Sequence, residues 1–528
     1  MRRATGSRSS SACLSGSNLT LRLPPWLVAA DFQPRSRSTC ATLRTPGRPM
    51  VLRARLLTTA LVLSLGGCAT VGPDHAPPAA PVATTYPMQG DARATSLTLS
   101  PNARQAGAWW TPLGSPALDE VMRLALKDNP TIEEANAVLA RAQAQTAAAQ
   151  GALSPQASLE ASPKRERINT QSFGFVGFPS PTLNLYSIGG TVSYDLDLFG
   201  GRRRALEGAR ARAEAEAYRA EAAYLALTGN IAVQALKIAY LHAQRDALDA
   251  VIRDDHQTID MLQKSEAAGG SGSAATASGY GLLARDQGMR PALTREIDAA
   301  RHQLAYLVGK SPAEWSPPDF KVSDFTLPKA VPVALPSSLV RQRPDILAAD
   351  AELHAATAQI GVATADLFPD IKLTARLTQG SVEPESLFSY DSTGWELIAG
   401  LTAPVLNGGR LKAAKTAAVA NARAAEARYR STVLRALLQV ADSMSALGQD
   451  DLSLEAAHLF ELVAQENLKD AEAAYRLGGG PRIDVANARK EVNRARRSTL
   501  EVESRRAANL IDLMTATSGR WSPDKPAS

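Results

Sequence analysis

Between Gly409 and Gly478 the chain runs for about 67 residues with no proline and one glycine, Gly448, although the whole sequence holds 32 prolines and 36 glycines. Alanine, arginine, glutamate and leucine dominate the run, and all of them propagate helix at little cost. At 1.5 Å per residue such a run forms a rod of roughly 100 Å, wider than any single globular domain. A second run of similar length opens at Gly200-Gly201-Arg202 and closes at Gly269-Gly270. Two rods of this size rule out one thick globular core, and the low aromatic content of 5% agrees with extended helical packing.

The formal charge of +6 is misleading. Residues 1–67 carry ten arginines and one acid, Asp31, so the remainder holds 48 basic and 51 acidic residues, a charge of −3. A nucleic-acid partner is therefore not expected. The three cysteines, Cys13, Cys40 and Cys68, all precede residue 69, which leaves the body without a disulfide framework or a cysteine metal site.

Residues 1–49 are rich in Ser, Arg and Pro and read as an upstream extension outside the mature protein; a transit peptide has a similar composition. With translation from Met50, Arg53 and Arg55 form a basic n-region and Leu56–Leu65 a short apolar h-region. Leu65-Gly66-Gly67-Cys68 then resembles a bacterial lipobox, so residues 50–67 are expected to be a signal peptide and Cys68 to carry covalent lipid. The competing reading is a cysteine placed there by accident. After Cys68 comes Ala69, not aspartate, which by the resemblance to bacterial lipoproteins permits delivery to the outer membrane. Residues 68–112 contain the proline-rich stretch from Val71-Gly72-Pro73 to Pro87 and read as an acylated tether.

The body is written twice. Asn129-Pro130 opens a helical run that ends before Pro155, and Arg343-Pro344 opens one that ends before Pro369. Gly200-Gly201-Arg202 matches Gly408-Gly409-Arg410; Leu262, Glu266-Ala267-Ala268 and Gly272 match Leu468, Glu472-Ala473-Ala474 and Gly478, with offsets drifting from 214 to 206. The expected repeats are 113–335 and 336–521, followed by a tail, 522–528. Each copy reads as a short helix, two strands, a very long helix, a glycine turn and a shorter helix.

The strands alternate with period two. Tyr186, Ile188, Val192, Tyr194, Leu196 and Leu198 stand against Ser187, Gly189, Thr191, Ser193, Asp195 and Asp197. In the second copy Ile371, Leu373, Ala375 and Leu377 oppose Lys372, Thr374, Arg376 and Thr378. Trp395, Leu397, Ala399 and Leu401 follow, with Ile398 out of pattern; Gln156–Ser162 alternates more weakly. An ordinary antiparallel sheet with one face on a core gives the same signal. Helices far too long to double back over a small sheet favour a barrel around water instead. Four strands cannot close one, since about eight are needed, so several chains must contribute. Along the second rod, Val433, Leu434, Leu437, Leu438, Ala441, Met444 and Leu447, then Leu459, Leu462 and Val463, form a stripe that seeks partner helices. Arg423, Glu426, Arg428 and Arg430 read as a solvated face.

The lipobox, Trp109-Trp110, Asn129-Pro130, the paired strands and the two glycine-opened rods, in duplicate, resemble the TolC-like outer-membrane efflux proteins. The closer resemblance is to their lipoprotein, NodT-type branch, the outer-membrane factors of RND efflux pumps. It implies a mostly α chain with a small β part: a homotrimer whose four strands per chain complete a transmembrane β-barrel in the lipid of the outer membrane, above a periplasmic coiled-coil helical barrel. Segments around Trp109–Leu126, Lys310–Leu335 and the C-terminus would form a belt midway along the helices. The implied partners are a periplasmic adaptor (membrane fusion) protein and an inner-membrane RND-type transporter. The resemblance also implies a gate at the helix tips, with Gly272 and Gly478 in the turns and Arg482, Ile483, Asp484 and Asn487 at the pore. Three copies of Asp484 would make a carboxylate ring, although an acid in the first helical turn is favourable anyway. Asn487 stands where an aspartate is common in the family, and Ser278 is matched to Asp484 in the first copy.

No enzyme signature survives. Gly309-Lys310-Ser311 mimics the end of a phosphate loop, but Leu304 occupies the required first glycine position. The six histidines lack metal spacing, and no cofactor beyond the lipid on Cys68 is expected. No apolar run after the signal approaches the length of a spanning helix, so energy must come from a partner. The expectation is a passive exit duct for drugs or other small molecules. The alternatives are a type I secretion duct and a lipid-anchored periplasmic scaffold or adaptor, which would bury the apolar strand faces.

Overall fold

The computed structural model describes residues 70–79, 108–328 and 336–518, together with 81, 85–86, 88, 90–91, 97–99 and 331–333. Cys68, the signal at 50–67, the extension at 1–49 and the tail at 522–528 lie outside the described residues. Six strands and eight α-helices follow one another in the described part of the unit Gly67–Ser528. Strand β1 (Leu97–Leu99) precedes helices α1 (Pro116–Asp128) and α2 (Pro130–Gly151). Then come β2 (Gln156–Arg167), β3 (Thr182–Leu196), α3 (Gly201–Ala267) and α4 (Ser273–Val308). The second half holds β4 (Val331–Val333), α5 (Pro336–Leu339), α6 (Pro344–Ala365), β5 (Asp370–Ser381), β6 (Thr393–Thr402), α7 (Arg410–Arg476) and α8 (Arg482–Thr517).

The duplication holds helix by helix. α2 and α6 have 22 residues each, α3 and α7 have 67, and α4 and α8 have 36. One correction follows. The offset is 214 residues up to the strands (Pro130 to Pro344, Gln156 to Asp370) and 209 throughout the long helices (Gly201 to Arg410, Ser273 to Arg482). The change falls between the start of the first strand of each pair and the start of the rod, and the offset is constant along the rods. Gly200 therefore matches Gly409, the two left-handed N-caps of the rods.

The repeats interleave. The long helix α3 packs against α4 of its own copy and against α6 and α8 of the other, while α7 packs on α6 and α8. Where the short helices meet the rods, a core forms from Trp109, Leu113 and Met122, the middle of α3 around Ile231 and Ile238, Val440 of α7 and Leu510 of α8. Trp109 Nε1 donates to Thr228 Oγ1 at 3.0 Å, within α3. Asn129 Nδ2 donates to the Leu307 carbonyl at 2.7 Å, and Arg343 Nη1 to the Ala516 carbonyl at 2.9 Å. These last two are equivalent contacts in the two copies: the start of each short helix holds the end of each shorter rod.

One further expectation changes, and the rejection of a phosphate loop has a structural reason. α3 contains a stretch long and apolar enough to cross a membrane, but half of that stretch is buried inside the chain; its apolar residues belong to the core just described. Gly309 is the left-handed C-cap of α4, and Lys310 pairs with Asp128 at 2.8 Å, so Gly309-Lys310-Ser311 is a helix end.

Candidate functional site

β2, β3, β5 and β6 form one antiparallel sheet in that order. Its register puts like on like: Val192 faces Ala157 and Ala375, Tyr194 faces Leu373, and Leu377 faces Trp395. The alternation thus becomes one apolar face across all four strands. No core covers it: Leu159 is 76% exposed, and Trp395 and Leu397 are 74%. The opposite face is polar and internally paired, with Arg376 to Glu396 at 2.9 Å and Lys164 to Glu166. β2 and β6 end the sheet with unpaired edges among the described residues. Such edges are a template for further strands.

The helices are equally incomplete. On α7 one seam, Val433, Val440 and Leu447, is buried, whereas Leu434, Leu438, Leu459, Leu462 and Val463 stay exposed. Of the charges expected to be solvated, Arg430 pairs with Glu426 at 2.7 Å at the surface. The sheet and the helix layer therefore both stop at open, apolar margins.

At the helix tips, Arg482, Asp484 and Asn487 are exposed on the first turns of α8 and Ile483 is half-buried. Asp484, Asn487 and Glu491 share one exposed face at helical spacing. Gly478 takes φ +76 in the second tip turn; its counterpart in the first is Gly269, at φ +75. Gly272 does lie in the first tip, but at φ −85 as the N-cap of α4, the place of Pro481. With the 209 offset, Ser278 corresponds to Asn487, and Asp484 corresponds to Ala275.

Above the tips lies a cluster absent from the sequence reading. Lys490 Nζ stands 3.1 Å from Asp255 Oδ1, with side chains 4% and 1% exposed. Arg494 Nη2 donates to Asp286 Oδ2 at 3.0 Å, and Asn493 Nδ2 to Asp254 Oδ2 at 3.0 Å. Burial pushes the Asp254 carboxyl up, against the opposing pull of Arg489. Burial would raise Asp286 too, but Arg494 and Arg285 outweigh it and hold that carboxyl below the usual range. The cluster clamps α8 to α3 and α4. Its signal was faint in the sequence because each residue alone looks like ordinary helix-surface charge.

The tether is fastened at its described points. Val71 N–H donates to the Phe199 carbonyl at 3.1 Å, and buried Arg204 holds the Val71 carbonyl, the Gly72 carbonyl and Asp74. A Cβ on Gly72 would come within 2.5 Å of Gly361 Cα, so only glycine allows this approach. His75 stacks on His354 with centroids 4.6 Å apart. β1 adds a parallel pairing of the tether with β4, just before the second repeat.

The comparisons with known proteins agree with this geometry. The family model "Outer membrane efflux protein" matches residues 121–310 and 335–519, once per copy. The chain belongs to the outer membrane efflux protein family. Nodulation protein T of Rhizobium leguminosarum bv. viciae is 27% identical over 486 residues, covering 90% of this chain and 95% of that protein. A probable outer membrane lipoprotein, SilC of Salmonella typhimurium, is 26% identical, covering 89% and 100%. The open state of the MtrE outer membrane channel of Neisseria gonorrhoeae superimposes with a TM-score of 0.74 at 26% identity, covering 85% of this chain and 98% of that one. Members of this family act in the outer membrane and are not enzymes.

Proposed function

We propose that this chain is the exit duct of a tripartite efflux pump, working as a homotrimer. Three copies would close a twelve-stranded barrel, consistent with the roughly eight strands or more that enclosure demands. The observation that carries the reading is the four-stranded sheet whose apolar face lies uncovered between two open edges. A scaffold or adaptor would bury that face; lipid covers it here. The helices then line a periplasmic tunnel of about 100 Å. Lipid on Cys68 anchors the tether, a periplasmic adaptor engages the tips, and an inner-membrane RND-type transporter supplies the energy. The clamp keeps α8 on its own α3 and α4 at the tips, with Asp484, Asn487 and their neighbours facing the pore.

The test is planar-bilayer conductance of the mature protein, residues 68–528, alongside its oligomeric mass. A trimer with small, cation-selective currents that grow on Asp484→Ala is the expected result. A folded oligomer that stays non-conducting, even after the clamp is loosened, would overturn the reading in favour of a scaffold.

A further inference from the structure

The apolar face of the sheet carries only two charged residues along its four strands, Arg165 and Arg167. They are adjacent on that face, on the edge strand β2. Above Pro163, which pairs with Tyr186, Arg165 pairs with Asn184 and Arg167 with Thr182. Both are exposed, and among the described residues neither side chain makes a hydrogen bond or an ion pair. The opposite face behaves differently: Lys164, between Pro163 and Arg165 but on that other side, is paired with Glu166.

Position fixes what these arginines meet. β2 follows α2 and β3 leads into α3, so both helices join the sheet at the end remote from Arg165 and Arg167. The two arginines occupy the hairpin end, which faces outward if the helices are periplasmic. A 12-residue strand at the usual barrel tilt rises about 30 Å, so its last residues clear an apolar band of about 25 Å. A tyrosine at the band's upper margin, with a cation just beyond it, is the arrangement of a headgroup-level anchor. The adjoining loop presents Phe173, Phe175 and Phe178 uncovered. The face has no acid of its own, so charge complementarity calls for an anion from outside the sheet.

We propose that Arg165 and Arg167 bind phosphate groups of the phosphorylated glycolipids in the outer leaflet, one such site at each subunit boundary of the barrel. The site rests on the membrane-barrel reading above. Guanidinium groups match phosphate in a two-pronged geometry that lysine lacks. β2 is also the strand whose open edge accepts the next copy, so a lipid held there lies against the seam between subunits.

The experiment uses the purified full-length mature protein and diphosphoryl lipid A as probe, read by native mass spectrometry. Phosphate-free lipid A and phosphatidylethanolamine serve as comparisons. The wild-type protein should retain diphosphoryl lipid A over both comparisons, and Arg165→Gln/Arg167→Gln should weaken that retention about tenfold. Lys164→Gln, at the same height on the other face, should leave it unchanged. Equal retention by the double variant, or equal retention of the phosphate-free lipid, overturns the site. So does a double variant whose lipid binding is intact but whose trimer falls apart, because acids of the next copy's β5–β6 loop would then be the partners. Oligomeric mass and conductance are read on the same samples. A conducting wild-type trimer without lipid selectivity overturns the lipid site alone; a wild-type protein that neither trimerises nor conducts overturns the barrel reading itself.

Discussion

Replacing Lys490 by methionine should loosen the tip of α8 while leaving the chain folded. Methionine retains most of the length and apolar contact of the lysine stem but removes a cation 3.1 Å from Asp255. Asp255 remains buried, and its Oδ2 already has no hydrogen-bond partner. Breaking a buried ion pair from one side costs about 3–5 kcal/mol. The lower end is taken here, because the methionine keeps the packing of the lysine stem. At 1.4 kcal/mol per tenfold, about 3 kcal/mol raises the population of the opened tip roughly 100-fold. The loss should stay local, since the belt core around Ile231, Val440 and Leu510 lies well up the helices and is untouched. Hydrogen exchange across Arg482–Arg497 reads the opening, and single-channel conductance reads its consequence. Asp255→Leu/Lys490→Met removes both charges and should return exchange to within about tenfold of wild type, because a buried pair replaced by apolar groups is often neutral. Wild-type exchange in the single variant would refute the clamp. A double variant as loose as the single would refute the electrostatic part, leaving the lysine stem's packing as the cause.

Two further outcomes test the tether and the tips. Burial, opposed by Asp350 and reinforced by His354, holds the His75 pKa below its ordinary 6.5. The docked tether therefore keeps His75 neutral while a released one takes up a proton, so docking is at full strength above 6.5 and weakens as pH falls below it. Proteolysis of residues 70–79 should accelerate between pH about 7 and about 5 in the wild type and lose most of that pH dependence in His75→Gln. Gly478→Ala, at φ +76, should lower stability by about 1 kcal/mol. Gly272→Ala, at φ −85, carries no backbone strain and loses only the N-cap preference for glycine over alanine, so it should cost less, about 0.5 kcal/mol; paired thermal midpoints decide.

Elements set by composition and period were readable in the sequence. The rods end where glycines and Pro481 end them, and the strand faces fall where alternation puts them, because both follow from local chemistry. The tip match was not readable. In a stretch of glycine, serine and alanine, an alignment that places Gly272 on Gly478 looks as good as one that places Gly269 there, and only the backbone angle separates them. The clamp was invisible for another reason. Asp254, Asp255 and Asp286 lie far in sequence from Lys490, Asn493 and Arg494, and nothing local marks them as buried. Likewise His75 and His354 are unremarkable singly and meet only because Arg204 draws the tether down onto α3.

Once the offset is fixed at 209, the clamp gains a further meaning. The counterparts of Asp254 and Asp255 in the second copy are Val463 and Ala464, and the counterparts of Lys490 and Asn493 in the first are Gly281 and Ala284. The two copies have thus diverged in a complementary way, acids in one and cation and amide in the other. In the proposed trimer the contact of α3 with α8 recurs, by pseudo-symmetry, between α7 of one chain and α4 of the next. There the same positions present valine, alanine and glycine; Val463, Gly281 and Ala284 are all exposed in the single chain. Small residues allow close helix approach without a directional bond, whereas a buried ion pair resists sliding until it is broken. The tips should therefore yield first where nothing polar must be separated, at the boundary between chains, with the clamp keeping α8 on its own α3. An opening that instead began inside a chain would need the charges of Lys490 and Asp255 to part first, and Lys490→Met would then increase conductance far more than any substitution at Val463.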